Sequence, residues 1–187
     1  MKKKELRAYY KKERNALTHK DRIKAAQSIR NQIIKKWNFK GELISLYLPI
    51  DRLNEIDTSR IAETLGNNNI ICVPVANFKN YSLTHVELNA ATKLEVNQWG
   101  IPEPINGKTF SVKDITVVLV PLLISDHQGH RLGYGKGFYD RFLKQCSPET
   151  LFIGLNYFEP IEELPELNAF DIPLHFLVTP DKVIQYL

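Results

Sequence analysis

Cysteine is almost missing from this chain: Cys72 and Cys146 are the only two in 187 residues. That scarcity excludes a disulfide framework, and the lack of any Cys-x-x-Cys pair excludes a zinc ribbon. Long apolar runs are missing too, since nothing approaches the roughly 18 residues of a transmembrane helix. The opening Met1-Lys-Lys-Lys-Glu-Leu-Arg7 has charge but no apolar segment behind it, so no secretory signal is expected. No Gly-x4-Gly-Lys-Ser/Thr P-loop and no Gly-x-Gly-x-x-Gly dinucleotide fingerprint occurs. The five histidines, at 19, 85, 127, 130 and 175, show no metal-ligand spacing. What remains is 43% apolar and 25% charged, the composition of an ordinary globular protein. One domain over residues 1–187 is expected, cytosolic, monomeric and without a membrane partner.

The net charge of +4 conceals two opposed halves. Residues 1–40 hold 14 Lys or Arg against 3 Asp or Glu, a net of +11, and residues 41–187 carry a net of −7. A basic arm on an acidic body fits a nucleic-acid arm, a cationic element folded over an anionic ligand, or a solvated helix face. Charge alone favours the solvated face.

Periodicity divides the chain in the same place. Leu6, Tyr10 and Leu17, then Ile23, Ala26, Ile29, Ile33 and Trp37, recur at near-helical spacing. Thr18 to Asp21 reads as a cap, so helices are predicted over about 2–16 and 19–37. Beyond Gly41 come short, β-branched runs at 43–48, 70–75, 117–124 and 151–155. Such runs suit strands of a parallel sheet buried on both faces. Helical segments at 58–65 and 138–145 fall between them. Together they predict an α/β fold, a three-layer and mostly parallel Rossmann-like open sheet flanked by helices, with a helical N-terminus. A polar middle, 81–115, reads as one antiparallel strand (83–88) among irregular loops. The tail reads as two strands around Thr179-Pro-Asp-Lys182.

Chemistry concentrates in Val117–Leu143. A buried strand leads into a loop with Gly129, Gly133, Gly135 and Gly137, then into a short amphipathic helix. Glycine lets backbone N–H groups approach an anion closely, and a following helix end adds partial positive charge. Arg131 and Lys136 add cationic side chains, which suits a polyphosphate. Asp140, in the first helical turn, is placed to hold a metal ion bridging those phosphates. The plain alternative is a flexible turn, with Asp140 as a helix N-terminal charge.

Arg131-Leu-Gly-Tyr-Gly-Lys-Gly-Phe-Tyr-Asp140 closely resembles the signature of the 5-formyltetrahydrofolate cyclo-ligases, also called 5,10-methenyltetrahydrofolate synthetases. The resemblance covers nearly the whole chain: Lys3-Lys-Glu-Leu-Arg7, Glu55-Ile-Asp-Thr58, Trp99-Gly-Ile-Pro-Glu-Pro104, and Phe170-Asp-Ile-Pro-Leu174 with Val178-Thr179 follow the family's order. It implies a ligase that uses ATP and Mg²⁺ to turn 5-formyltetrahydrofolate into 5,10-methenyltetrahydrofolate through a phosphorylated formyl group. It further implies that Arg131, Leu132, Gly133, Tyr134, Gly135, Lys136, Gly137, Phe138 and Tyr139 meet ATP, with Arg131, Lys136 and Tyr139 catalytic. Lys3, Lys4, Glu5, Leu6 and Arg7 would complete the nucleotide site, with Lys3 and Arg7 as the phosphate contacts. Asp140 and Asp171 would hold Mg²⁺. Leu48, Glu55, Trp99, Tyr134 and Phe138 would contact the folate. The chain departs from the common pattern at Tyr134, Lys136 and Phe138, which leaves the loop's backbone role untouched.

Each assignment has a plainer counterpart. Glu55 and Asp57 read equally as helix N-terminal acids, Asp171 as a turn former before Ile172-Pro173, and Trp99 as core. A nucleic-acid-binding protein would use the basic arm, but the chain has no RRM, KH or helix-turn-helix signature. Another phosphate-handling enzyme on the same scaffold would leave the ordered motifs unexplained.

Overall fold

The computed structural model describes residues 1–168 and 171–186, so Phe170 lies outside the described residues. Two helices lead, α1 (Lys3–Ala16) and α2 (His19–Lys36). They part where sequence capping predicts, because the Thr18 hydroxyl accepts the Asp21 N–H at 3.1 Å. Then come β1 (Leu43–Ser45), α3 (Ser59–Gly66), β2 (Ile70–Asn77) and β3 (Ser82–Glu87). A hairpin of β4 (Leu94–Val96) and β5 (Pro102–Pro104) precedes β6 (Thr109–Phe110) and β7 (Val117–Pro121). A second hairpin, β8 (Ile124–Ser125) and β9 (Arg131–Leu132), leads to α4 (Phe138–Leu143). The chain ends with β10 (Leu151–Leu155), β11 (Phe176–Val178) and β12 (Val183–Gln185).

Eight strands form one sheet in the order β12-β11-β10-β7-β1-β2-β3-β6. The five from β11 to β2 run parallel. Antiparallel pairs add β12 at one edge and β3 and β6 at the other. Along β7 successive side chains serve opposite layers. Val117 and Leu119 pack with Ile29 and Ile33 of α2 and Ile61 and Leu65 of α3. Val118 and Val120 pack with Phe142 and Leu143 of α4. Burial on both sides is why the strand reads as an unbroken apolar run. Each such side chain fully withdrawn from water contributes about 1.5–3 kcal/mol.

The expected three-layer, mostly parallel α/β architecture is therefore present, with two local differences. The middle of the chain is more regular than predicted, since β4, β5 and β6 join the one strand expected there. The glycine-rich segment is interrupted by the β8–β9 hairpin. Gly129 belongs to that hairpin's turn (φ +85°), where a Cβ would lie 2.8 Å from the Leu174 carbonyl oxygen. Strands of two or three residues carry no readable alternation, which is why they escaped the sequence. No helix among the described residues is long and apolar enough to cross a membrane.

Candidate active site

From β1 the chain moves outward to β2, then returns to β7 on the other side of β1. That reversal separates the connections leaving the carboxyl ends of β1 and β7, and a crevice forms there in open α/β sheets. A cleft of about 390 Å³ occupies this place, lined by Tyr47 and Leu48 just past β1 and by Pro121 at the end of β7.

The whole segment from Arg131 to Asp140 lines the cleft. Gly135 has φ +91°, where any side chain is strained, and a Cβ there would come within 3.1 Å of the Arg7 guanidinium carbon, so Arg7 would have to give way. Arg7 itself donates from Nε to the Gly133 carbonyl at 3.0 Å. Lys3 and Arg7 stand four residues apart on α1, hence on one helix face, and both line the cleft. Their neighbours do not: Lys4 and Glu5 are exposed, Glu5 accepting the Lys2 N–H at 2.9 Å, and Leu6 is buried with Ile124, Leu132 and Leu164.

Two carboxylates share this end. Asp140 Oδ1 accepts from Arg131 at 2.5 Å, and Asp171 Oδ2 meets the Lys3 ammonium at 3.4 Å. Arg131 also donates to the Ile172 carbonyl. Burial lowers its pKa, and the charges of Asp140 and Asp171 oppose that shift. Asp171 closes a turn as well, accepting the Asn168 N–H at 3.0 Å. Among the described residues no cluster of three His, Cys, Asp or Glu could hold a metal. Mg²⁺, however, is commonly held by one or two carboxylates, with phosphate oxygens and waters completing its shell. Two acids beside a phosphate-sized set of cations fit that ion.

At the other end Glu55 is 8% exposed and accepts the Ile50 N–H at 2.9 Å. Asp57 takes the expected capping role instead, accepting the Ser59 N–H at 2.9 Å. Burial raises the Glu55 pKa, against which the Ile50 N–H, the Tyr134 hydroxyl and Arg14 hold the ionised form. An aromatic wall lines the same cleft. Phe78 lies 5.2 Å from Trp99 and 5.4 Å from Phe138, ring centre to ring centre. Trp99 is not core: it is 44% exposed, and its carbonyl accepts two bonds from Arg52 at 3.0 and 3.3 Å. The Lys136 ammonium lies 5.5 Å from the centre of the Phe78 ring and 5.7 Å from that of Trp99. Burial also raises the Tyr139 and Tyr134 phenols, keeping both protonated.

Sequence reasoning missed Phe78, Arg52 and Arg14. Phe78 follows β2 with no motif around it. Arg14 is hidden in the basic run; its one signal is the seven-residue step from Arg7, which keeps it on the same helix face. His127 and His130 do not line the cleft; they pair with Glu162 at 3.6 Å and Asp126 at 3.0 Å.

Known proteins resemble this chain in sequence and fold. The model of the 5-formyltetrahydrofolate cyclo-ligase family matches residues 1–180. The Haemophilus influenzae 5-formyltetrahydrofolate cyclo-ligase is 30% identical over 182 residues, covering 92% of this chain and 95% of its own. The Escherichia coli K12 enzyme of the same name is 31% identical over 153 residues, 76% and 80% of the two chains. The NMR structure of Aquifex aeolicus 5,10-methenyltetrahydrofolate synthetase superposes with a TM-score of 0.82 at 28% identity, covering 99% of this chain and 93% of that one. On the match to residues 1–180, the chain belongs to the 5-formyltetrahydrofolate cyclo-ligase family of ligases.

Proposed function

We propose that the protein uses ATP to close the ring of 5-formyltetrahydrofolate, giving 5,10-methenyltetrahydrofolate, ADP and phosphate. The two-ended cleft carries this reading. Lys3, Arg7, Arg131 and Lys136 gather around a glycine loop at one end, and a buried carboxylate and an aromatic wall line the other.

The N-formyl oxygen is a poor leaving group. Transfer of the γ-phosphoryl group to it breaks the terminal phosphoanhydride bond and leaves an iminium phosphate. N10 then attacks the formyl carbon and gives up its proton while the carbon–oxygen bond breaks and phosphate departs. Positioning and charge neutralisation suffice for such chemistry, with no protein nucleophile required.

Backbone N–H groups of Gly133–Gly137 and the side chains of Lys3 and Arg7 hold the phosphates. Lys4, Glu5 and Leu6 supply the helical turn that sets those two cations on one face. Arg131 and Lys136 neutralise charge on the moving phosphoryl group, and the protonated Tyr139 phenol offers a hydrogen bond at the reacting end. Glu55 accepts from pterin N–H donors, and Leu48, Trp99, Tyr134 and Phe138 pack against the folate. Asp140 and Asp171 would hold Mg²⁺, which when bound neutralises phosphate charge.

The test mixes protein, ATP, Mg²⁺ and 5-formyltetrahydrofolate and follows the near-ultraviolet absorbance of the methenyl product. A rise that needs both ATP and Mg²⁺ is expected. No rise from folded protein that still binds ATP would remove the folate assignment and leave a phosphate site.

A further inference from the structure

Arg14 stands in the last turn of α1 and is 3% exposed, although it carries a full charge and lies outside every motif of the family signature. A buried guanidinium is strongly disfavoured unless its donors and its charge are matched. Its partners converge on one residue. NH1 donates to the Tyr134 hydroxyl at 2.8 Å, and that hydroxyl in turn favours the ionised Glu55 carboxylate. The guanidinium carbon lies 5.6 Å from the centre of the Tyr157 ring, and the Tyr157 hydroxyl donates to the Glu55 backbone carbonyl at 3.1 Å. NH2 donates to the Leu122 carbonyl just past β7, at 2.6 Å. One donor, Nε, is buried without a partner. Arg14 is therefore kept in place at some cost, and a purely apolar helix end would avoid that cost.

We propose that Arg14 is a positioning residue for the folate end, its guanidinium fixing the Glu55 carboxylate through Tyr134 and the Glu55 backbone through Tyr157. The role rests on the folate reading, because it assigns Arg14 to the group that receives the pterin. Arg14 shares a helix face with Lys3 and Arg7, so the helix that presents cations to the phosphates also sets the acceptor for the ring. A carboxylate that must accept from N–H donors works only when ionised. The groups acting on it are Arg14 from α1, Tyr47 past β1, the Ile50 N–H and Arg52 beside it, Tyr134 and Tyr139 from the glycine-loop segment, and Tyr157 past β10. Of the two cations, Arg52 also hydrogen-bonds the Trp99 carbonyl, whereas Arg14 is buried and linked to the carboxylate through a hydroxyl. Loss of the Arg14 charge should leave Glu55 protonated at higher pH.

The experiment measures 5-formyltetrahydrofolate binding by calorimetry, without ATP, from pH 5.5 to 8.5. It compares wild type, Arg14→Met, Arg14→Lys and Tyr134→Phe. In wild type, affinity should fall on the acid side as Glu55 takes up a proton. In Arg14→Met that fall should begin about one pH unit higher, making acid-side binding about tenfold weaker than wild type. Tyr134→Phe should move the fall in the same direction, which keeps the test alive if Arg14→Met does not fold. Arg14→Lys, which restores charge without the two-pronged donor geometry, should return the fall toward its wild-type pH. An acid fall left at its wild-type pH in Arg14→Met and Tyr134→Phe overturns the role, whether affinity is unchanged or lowered equally at every pH. Absence of binding by wild type overturns the folate reading itself, and the role of Arg14 with it.

Discussion

At the glycine-loop end of the cleft Lys3 meets Asp171 at 3.4 Å with both side chains under one-fifth exposed, and the Lys136 ammonium lies over two aromatic rings. At the other end Glu55 and Arg14 are almost wholly withdrawn from water and joined through the Tyr134 hydroxyl. Apart from the tighter Arg131–Asp140 pair, contacts of the first kind are weak: partly solvated ion pairs are worth about 0–1 kcal/mol and exposed cation–π contacts about 0.5–1 kcal/mol. A polyphosphate that brings its own charge displaces them readily. The second kind is costly to disturb, because breaking one partner of a buried charged pair costs about 3–5 kcal/mol. The difference suits the two proposed ligands. Phosphates need cations free to change partner, whereas a ring read by its N–H donors needs an acceptor already in place.

Substitutions that separate the two ends sharpen this contrast. The largest effect is expected from Lys136→Ala, which removes an exchangeable cation: kcat/KM for ATP should fall by about 10²–10³ with the urea midpoint unchanged. If the variant instead unfolds, the loop is a structural element, and the contrast between the ends is lost. Next comes His85, on β3, fully buried against Phe142 of α4 with both ring nitrogens unpartnered. Burial lowers its pKa from 6.5 to about 4. Between those values the unfolded chain binds the extra proton, so stability is full above about pH 6.5 and declines as pH falls toward 4. His85→Leu should abolish that decline, making the variant lose about 2 kcal/mol less than wild type between pH 7 and pH 5 in urea titrations. Parallel slopes for the two proteins would mean that His85 finds a proton acceptor on protonation. The smallest effect is expected from Asp140→Asn, which should raise the Mg²⁺ concentration for half-maximal activity about tenfold at saturating ATP. An unchanged Mg²⁺ requirement would leave Asp140 solely as the partner of Arg131.

The layers of the fold were legible because burial on both faces leaves a mark on composition. Val117 to Pro121 and Leu151 to Leu155 are apolar at every step, and such strands have few alternatives to the middle of a parallel sheet. Thr18 and Asp21 marked the break between α1 and α2 for an equally local reason, a side chain closing onto a backbone N–H three residues on. The glycine loop stood out as a candidate site because its residue types serve close backbone approach and charge. Asp57 and Asp171 show the limit of that reading. Both cap or shape a turn as local rules expect, yet Asp171 also lines the cleft beside Lys3, from 168 residues away in sequence.

By itself, then, the sequence determined the main helices, the buried strands, the layered class and the candidate phosphate segment, because each depends on periodicity or on neighbours a few residues apart. Tertiary structure alone decided which charges become partners. Arg14 looks like any other cation in a run with a net charge of +11, and Glu55 like any acid ahead of a helix. Only the packing of α1 across the exits of β1 and β7 removes water from both and joins them through Tyr134 and Tyr157. Desolvation is a property of that whole assembly, so no local stretch of sequence encodes it.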